Sequence, residues 1–166
     1  MLVQECHQKN LRKSRICNSE RLYFVICCSY KKSEILIDPR VAPILINCIK
    51  WFADKSNITP LGFVIMPDHL HWAFALKQPY TLDNIIKIYK SFTARKIGEL
   101  QHNENKVWQH GYYEHMLRDV KDFRIKLDYM HNNPIRKGLI DRAEDYLYST
   151  ANERYAHMVD WEYIGC

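Results

Sequence analysis

Apolar and polar positions along this chain fall into blocks of two periods, one strand-like and one helical. Leu22 to Tyr30 (LYFVICCSY) is dense in aromatic and β-branched residues and predicts a strand, ended by Lys31-Lys32. Asp38-Pro39 predicts a helix start, with Asp38 as cap and Pro39 in the first turn. Val41, Ile44, Leu45, Ile49 and Phe52 follow at helical spacing as its buried stripe. Leu61 to Met66 predicts a second strand, Pro67-Asp68 a turn, and His69 to Leu76 a third strand in a hairpin with the second. Thr81 predicts the cap of a helix running to Leu100, with Leu82, Ile85, Ile86, Tyr89, Phe92 and Ile97 facing inward. After a polar loop, Val107 to Leu117 predicts one or two short strands. Asp119 then caps a helix over 120–133, with Asp122 in its first turn and Phe123, Leu127 and Met130 as its stripe. Pro134 is expected to stop that helix. Beyond it come a basic turn, a Tyr-rich segment and a last strand or coil.

The order is strand, helix, strand, strand, helix, strand, helix. So few strands do not make a doubly wound parallel sheet. The expected fold is α+β, a ferredoxin-like or RRM-like antiparallel sheet with helices packed on it. The expected organisation is a basic N-terminal arm over 1–20, one domain over 21–155 and a tail over 156–166.

Composition narrows the class. The 166 residues suit one domain, and 47% hydrophobic content argues against disorder. A net charge of +5, with eight histidines besides, suits a polyanionic partner. The longest apolar run, Leu22 to Cys28, is too short to cross a bilayer, and no secretory signal is visible, so a cytoplasmic protein is expected. Its six cysteines form no Cys-x-x-Cys pair and read as reduced thiols; Cys6-His7 with Cys17 has poor spacing for zinc.

The candidate chemistry sits in two segments. In a strand, residues two apart share a face, so His69, His71, Ala73 and Ala75 line one side and Leu70, Trp72, Phe74 and Leu76 the other. The second side is core. The first carries two imidazoles at one end and small residues beyond, with room for a metal and a substrate strand. Two imidazoles alone make a weak site, and His-x-His is equally met by satisfied surface histidines. Asp68 adds a carboxylate, or serves only as a turn former. In the second segment, Tyr129 and Asn133 stand one helical turn apart. The Asn133 carbonyl is a suitable hard ligand for Mg²⁺ or Mn²⁺ and would make a third protein ligand beside His69 and His71. Tyr129 could attack a phosphorus polarised by such an ion and form a covalent phosphotyrosine. Against this, the chain has 11 tyrosines, and most must be structural.

At these residues the chain resembles the single-tyrosine HUH transposases, most of all the REP-associated tyrosine transposases. Four blocks carry the resemblance: Tyr23-Phe24-Val25 through Lys31-Lys32; Val64-Ile65-Met66-Pro67-Asp68-His69-Leu70-His71; Lys90-Ser91-Phe92-Thr93; and Val107-Trp108-Gln109 through Gly138-Leu139. They span residues 22–150. The resemblance implies His69 and His71 as the metal pair, Asn133 as the helix-borne ligand where related transposases often carry Gln, and Tyr129 as nucleophile. It implies cleavage of single-stranded DNA at or near a hairpin, leaving a 5′-phosphotyrosine and a free 3′-hydroxyl, by a monomer or homodimer. Two departures touch the ends only: Tyr146-Leu147-Tyr148 where the family usually has Trp, and the basic lead-in.

Lys87, Lys90, Arg95 and Lys96 on the helix after the histidine strand, with Arg118, Arg136 and Lys137 around the tyrosine helix, are the candidate phosphate contacts. Trp108, Tyr112 and Tyr113 could stack on unpaired bases. Two other readings stay open from sequence. One is a metal-dependent hydrolase without a tyrosine nucleophile; the other is a domesticated, non-cutting DNA-binding regulator.

Overall fold

The structure is a computed structural model that describes residues 20–103 and 105–163. The bulk of the expected basic arm, with Cys6, His7 and Cys17, lies outside the described residues. The chain order is β1 (Arg21–Cys28), α1 (Ala42–Asp54), β2 (Ile58–Ile65), β3 (His69–Leu76), α2 (Leu82–Gln101), β4 (Tyr113–Leu117), α3 (Val120–His131), α4 (Asn133–Arg136) and α5 (Glu153–Ala156). The sheet order is β2-β3-β1-β4. Every neighbouring pair is antiparallel. Read from the other edge, this is the strand order of a ferredoxin-like domain.

The sheet is covered on both sides. On one face Val25, Cys27, Phe63, Leu70, Trp72 and Phe74 pack against Leu45, Ile49 and Phe52 of α1 and Ile85 and Tyr89 of α2. On the other, Leu22, Phe24, Ala73, Ala75 and Leu117 meet Phe123, Leu127 and Met130 of α3. Each of those three side chains is worth about 1.5–3 kcal/mol of burial. The space over Ala73 and Ala75, expected to be open for a substrate strand, is therefore filled: both alanines are 1% exposed or less. Small side chains there let a helix approach, and Gly62 on β2 lets it approach further. A Cβ at Gly62 would lie 2.4 Å from Met130 Cε and 2.9 Å from Leu127 Cδ1, and its φ of +152° disfavours any side chain.

Several boundaries differ from the sequence reading, each for a local reason. The Asp38 carboxylate bonds the Arg40 N–H at 2.8 Å and the Arg40 guanidinium. Its carbonyl receives the N–H of Val41 and Ala42. Asp38-Pro39 thus make a turn, and α1 begins at Ala42 with Pro43 in its first turn. Phe92 is 39% exposed rather than buried. Thr93 takes the inward position, where its hydroxyl donates to the Tyr89 carbonyl at 2.7 Å and accepts from Trp108 Nε1 at 2.9 Å. Pro134 does not stop a helix but starts one. The backbone breaks at Asn132, and Pro134, which needs no amide hydrogen in a first turn, opens α4.

Among the described residues, the segment after α4 forms no full strand. Tyr148 and Thr150 make two backbone bonds to the β2 edge, Ile65 N–H to the Tyr148 carbonyl at 2.9 Å and Thr150 N–H to the Phe63 carbonyl at 3.0 Å. The Tyr146 hydroxyl donates to the Ile65 carbonyl at 2.9 Å. The Thr150 hydroxyl, bonded to both Phe63 backbone groups, also lies 2.9 Å from His131 Nε2. This contact ties the tail to the last residue of α3.

Gly62→Ala should lower stability by about 1–3 kcal/mol through overpacking under α3, read as a shifted denaturant midpoint with an unchanged slope. A second outcome concerns pH. Burial pushes the His131 pKa down to about 4, against about 6.5 for an unfolded chain. On acidification the unfolded chain therefore takes the proton first. The stability is complete above about pH 6.5 and is lost as pH falls toward the folded value. In chelator, the drop in Tm between pH 7 and pH 5 should be smaller in His131→Gln than in wild type; an equal drop would place the titrating group elsewhere.

Candidate active site

The hairpin between β2 and β3 sets the site. Met66 N–H donates to the His69 carbonyl at 2.7 Å, closing the turn at Pro67-Asp68. β3 then presents His69 and His71 on the same side as Phe24 and Ile26 of β1, across the registers Ile26–His71 and Cys28–His69. His69 Nδ1 donates to Asp68 Oδ1 at 2.5 Å. That fixes the tautomer, so its Nε2 carries a lone pair. This Nε2 lies 3.0 Å from His71 Nε2. His71 Nε2 is also 2.7 Å from Asn133 Nδ2. His71 is 1% exposed and Asn133 7%.

The structure therefore brings His69, His71 and Asn133 together, with Asn133 delivered by the first residue of α4 rather than by the helix of Tyr129. The Tyr129 ring sits edge-on to His71, centroids 5.7 Å apart at 88°, and edge-on to Phe24 at 6.3 Å. Tyr129 is 39% exposed. The Arg136 guanidinium lies 4.7 Å over its ring. His69, His71 and Tyr129 line a cleft of about 540 Å³. Its other wall is the segment Gln109 to Tyr113.

The electrostatics favour neutral imidazoles. Burial lowers the His71 pKa to about 3, with His69 next to it adding to the effect. Burial also lowers that of His69; Asp68 opposes this, while Lys32 and Lys137 reinforce it. Asp68 is itself held below the usual carboxylate range: burial raises it, but the His69 bond and Lys32 outweigh that. Lys32 is moved up from its ordinary value, since burial lowers it but Cys28 and Asp68 outweigh burial.

This donor set fits a divalent ion. With the Asn133 amide nitrogen donating to it, His71 Nε2 is an acceptor that faces a second acceptor, His69 Nε2. His71 Nδ1 is then buried without a partner. Two lone pairs about 3 Å apart suit two adjacent ligands of an ion with bonds near 2.1 Å. Among the described residues no three His, Cys, Asp or Glu side chains converge on one point. Beside the two imidazoles stands the Asn133 side-chain amide, whose other atom is a carbonyl oxygen.

The candidate phosphate contacts scatter. Arg136 and Lys137 stand beside the histidines, where both bear on the imidazole charges. Arg118 pairs with Asp122 at 3.6 Å while remaining mostly exposed. Lys96 pairs with Glu99 at 2.8 Å. Lys87 and Arg95 are exposed. Lys90 is not free: its ammonium donates to the Gln109 carbonyl at 2.9 Å and to the Gly111 carbonyl, and lies 6.0 Å from the Trp108 ring. Of the three aromatic candidates, Trp108 is 5% exposed and belongs to the core. The Tyr112 hydroxyl donates to Asp83 Oδ1 at 2.5 Å. Tyr113 stands open, at 52% exposure. Sequence reasoning missed Lys32, which lines the cleft. Nothing in its spacing marks it, because the turn that carries it uses no Gly or Asn.

No helix among the described residues is long and apolar enough to cross a membrane. Comparisons with known proteins agree with this architecture. The chain is similar to a REP-associated tyrosine transposase of Escherichia coli, 28% identical over 107 residues, covering 60% of each protein. It is 34% identical over 116 residues to a Haemophilus influenzae protein provisionally given the same name, covering 63% of the chain and 65% of that protein. The chain thus spans less than two thirds of the length of either relative. Among solved structures, one described as a REP-associated tyrosine transposase bound to a REP hairpin matches with a TM-score of 0.66 at 21% identity, covering 79% of this chain and 76% of that one. That likeness establishes the fold. Residues 18–133 match the family described as "Transposase IS200 like", and the chain belongs to that family.

Proposed function

We propose that this protein is a metal-dependent transposase that cuts single-stranded DNA beside a hairpin through a covalent 5′-phosphotyrosine at Tyr129. The observation that carries the reading is the contact of Asn133 with His71, 2.7 Å, where His71 and Tyr129 line one cleft. His69, His71 and Asn133 would hold Mg²⁺ or Mn²⁺. That ion, when bound, polarises the scissile phosphate and offsets the charge that develops on it. The remaining work falls to the chain. Asp68 holds the His69 tautomer. Phe24 packs against both the His71 and Tyr129 rings and keeps them in register. The Arg136 guanidinium is placed to offset phenolate charge. The Tyr129 oxygen forms a bond to phosphorus as the bond to the 3′-oxygen breaks, and that oxygen takes up a proton to leave a 3′-hydroxyl. The bond is conserved in energy, so the step can be reversed to join strands. Arg136, Lys137, Arg118, Lys87 and Arg95 are the cations left to meet the backbone of hairpin DNA, with Tyr113 open to stack on an unpaired base. We place this activity in the cytoplasm.

Tyr129→Phe should remove the protein–DNA adduct on a denaturing gel while leaving hairpin binding nearly intact. Chelation, or His71→Ala, should remove the adduct as well. An adduct that survives Tyr129→Phe and maps to Tyr113 would sink the nucleophile assignment. One that forms in chelator would sink the metal role.

The cations divide further by salt dependence. Arg95→Ala should lower the slope of log affinity against log salt by about 1, as expected for one lost phosphate contact. Lys90→Met should leave the slope unchanged, because its ammonium is engaged by two carbonyls. Amide exchange over 109–112 should rise instead, since the wall loses its anchor.

A further inference from the structure

We propose that Lys32 is a further substrate-contacting residue, whose ammonium pairs with a non-bridging oxygen of the scissile phosphate. The proposal rests on the reading of the cleft as the DNA-cleaving site and adds a residue to it. Three observations converge on Lys32. The first is its backbone. Tyr30–Lys32 is a single tight turn after β1, and Lys31 (φ 53°) and Lys32 (φ 58°) both lie in the left-handed region. L residues other than Asn or Gly seldom adopt this conformation, least of all twice in succession. Such a backbone persists where its surroundings over-determine it, and it clusters at functional sites.

Here the surroundings do so. Ser29 N–H donates to the Asp68 carbonyl at 2.9 Å and Tyr30 N–H to the Val107 carbonyl at 2.8 Å. The Ser29 hydroxyl donates to the Ser33 carbonyl at 2.7 Å. The turn is thereby bolted to the β2–β3 hairpin on one side and, on the other, to Val107, two residues before the cleft wall begins.

The second observation is where the side chain ends. Lys32 Nζ donates to Cys28 Sγ at 3.3 Å. It lies 3.6 Å from Asp68 Oδ2, the carboxylate whose other oxygen holds His69, and the side chain is 59% exposed. The Asp68 distance is an ion pair at long range. With the thiol and the Asp68 carboxylate as its partners, the three-proton ammonium keeps donor capacity for a ligand, and the residue lines a cleft shared with His69, His71 and Tyr129.

The third is the contrast with its neighbour. Lys31 has the same strained backbone, but its ammonium sits 5.5 Å over the Tyr30 ring and does not line the cleft. The turn thus sends one lysine into the site and the other out.

The chemistry asks for a cation at this place. As the Tyr129 oxygen bonds to phosphorus and the 3′-oxygen departs, negative charge rests on the non-bridging oxygens. The phenol proton leaves to solvent and the 3′-oxygen takes one from solvent. Lys32 keeps its own proton and contributes charge only.

The test compares Lys32→Met, Lys32→Arg, Lys32→Gly and Lys31→Met in single-turnover adduct formation. Each is run on a hairpin oligonucleotide with an ordinary scissile phosphate and on one with a neutral methylphosphonate there. Lys32→Met should lose at least about tenfold in rate at saturating DNA on the phosphate substrate and less than about twofold on the methylphosphonate. Lys32→Arg should recover part of the rate, and Lys31→Met should match wild type. Lys32→Gly relaxes the backbone, so its Tm should hold or rise while its rate falls as in Lys32→Met. Equal losses on the two substrates, a loss confined to affinity, or a rate that tracks Tm across the variants would overturn the role. If wild type forms no adduct on either DNA, the failure lies with the proposed cleavage, and Lys32 then has no phosphate to meet.

Discussion

The arrangement depends on how closely α3 sits on the sheet. Its stripe of Phe123, Leu127 and Met130 rests on Ala73, Ala75 and Gly62, positions with little or no side chain. A helix axis held that low brings the residues at its C-terminal end level with the side chains of β3. Tyr129 then meets His71 edge-on, and the next turn of chain carries Asn133 to within 2.7 Å of the same imidazole. Apolar packing fixes the height of the helix, and the break at Asn132 fixes the direction in which Asn133 arrives. Both are needed, because a continuous helix would carry Asn133 along the axis of α3 rather than letting it start a new one.

Charge in the cleft follows from burial more than from pairing. Two imidazoles kept neutral by desolvation turn their lone pairs toward each other, which is unfavourable until something cationic or protic lies between them. Lys32, Arg136 and Lys137 surround them and oppose protonation still more. The same cations would attract a phosphodiester. One charge distribution thus has two effects: it keeps the imidazoles neutral, and it gathers positive charge around them.

Much of this is legible in the sequence because the signals are local. Strand alternation puts His69 and His71 on one side, Thr81 and Asp119 cap their helices as side chains of that kind do, and Pro67-Asp68 closes the hairpin. Several misreadings share a cause, which is that a residue's partner lies far away in sequence. Ala73 and Ala75 look like open space until α3 is placed over them. Lys90 looks like a surface cation until the carbonyls of Gln109 and Gly111 are brought to it. Phe92 fits the helical stripe as well as Thr93 does, and only the Trp108 donor decides between them. Pro134 signals a boundary correctly, but a boundary can be an end or a beginning. The resemblance to single-tyrosine transposases places Tyr129 and Asn133 without resolving that they stand on separate helices.

The tail adds a constraint that the matched family segment, which ends at residue 133, does not contain. Tyr146, Tyr148 and Thr150 all bond to β2, and Thr150 reaches His131 at the end of α3. His131 lies between Tyr129 and Asn133 in sequence. A contact there restrains the hinge around Asn132 from outside. The apolar stripe of α3 fixes its height but resists rotation about the helix axis weakly. Rotation is the motion that would carry the Tyr129 hydroxyl away from the histidine pair. The Thr150–His131 hydrogen bond opposes it directly, because it is directional where apolar packing is not. The geometry of the cleft is in this sense set by residues on both sides of position 133, where the family match ends, and the segment after α4 supports the site together with the strand that bears the histidines.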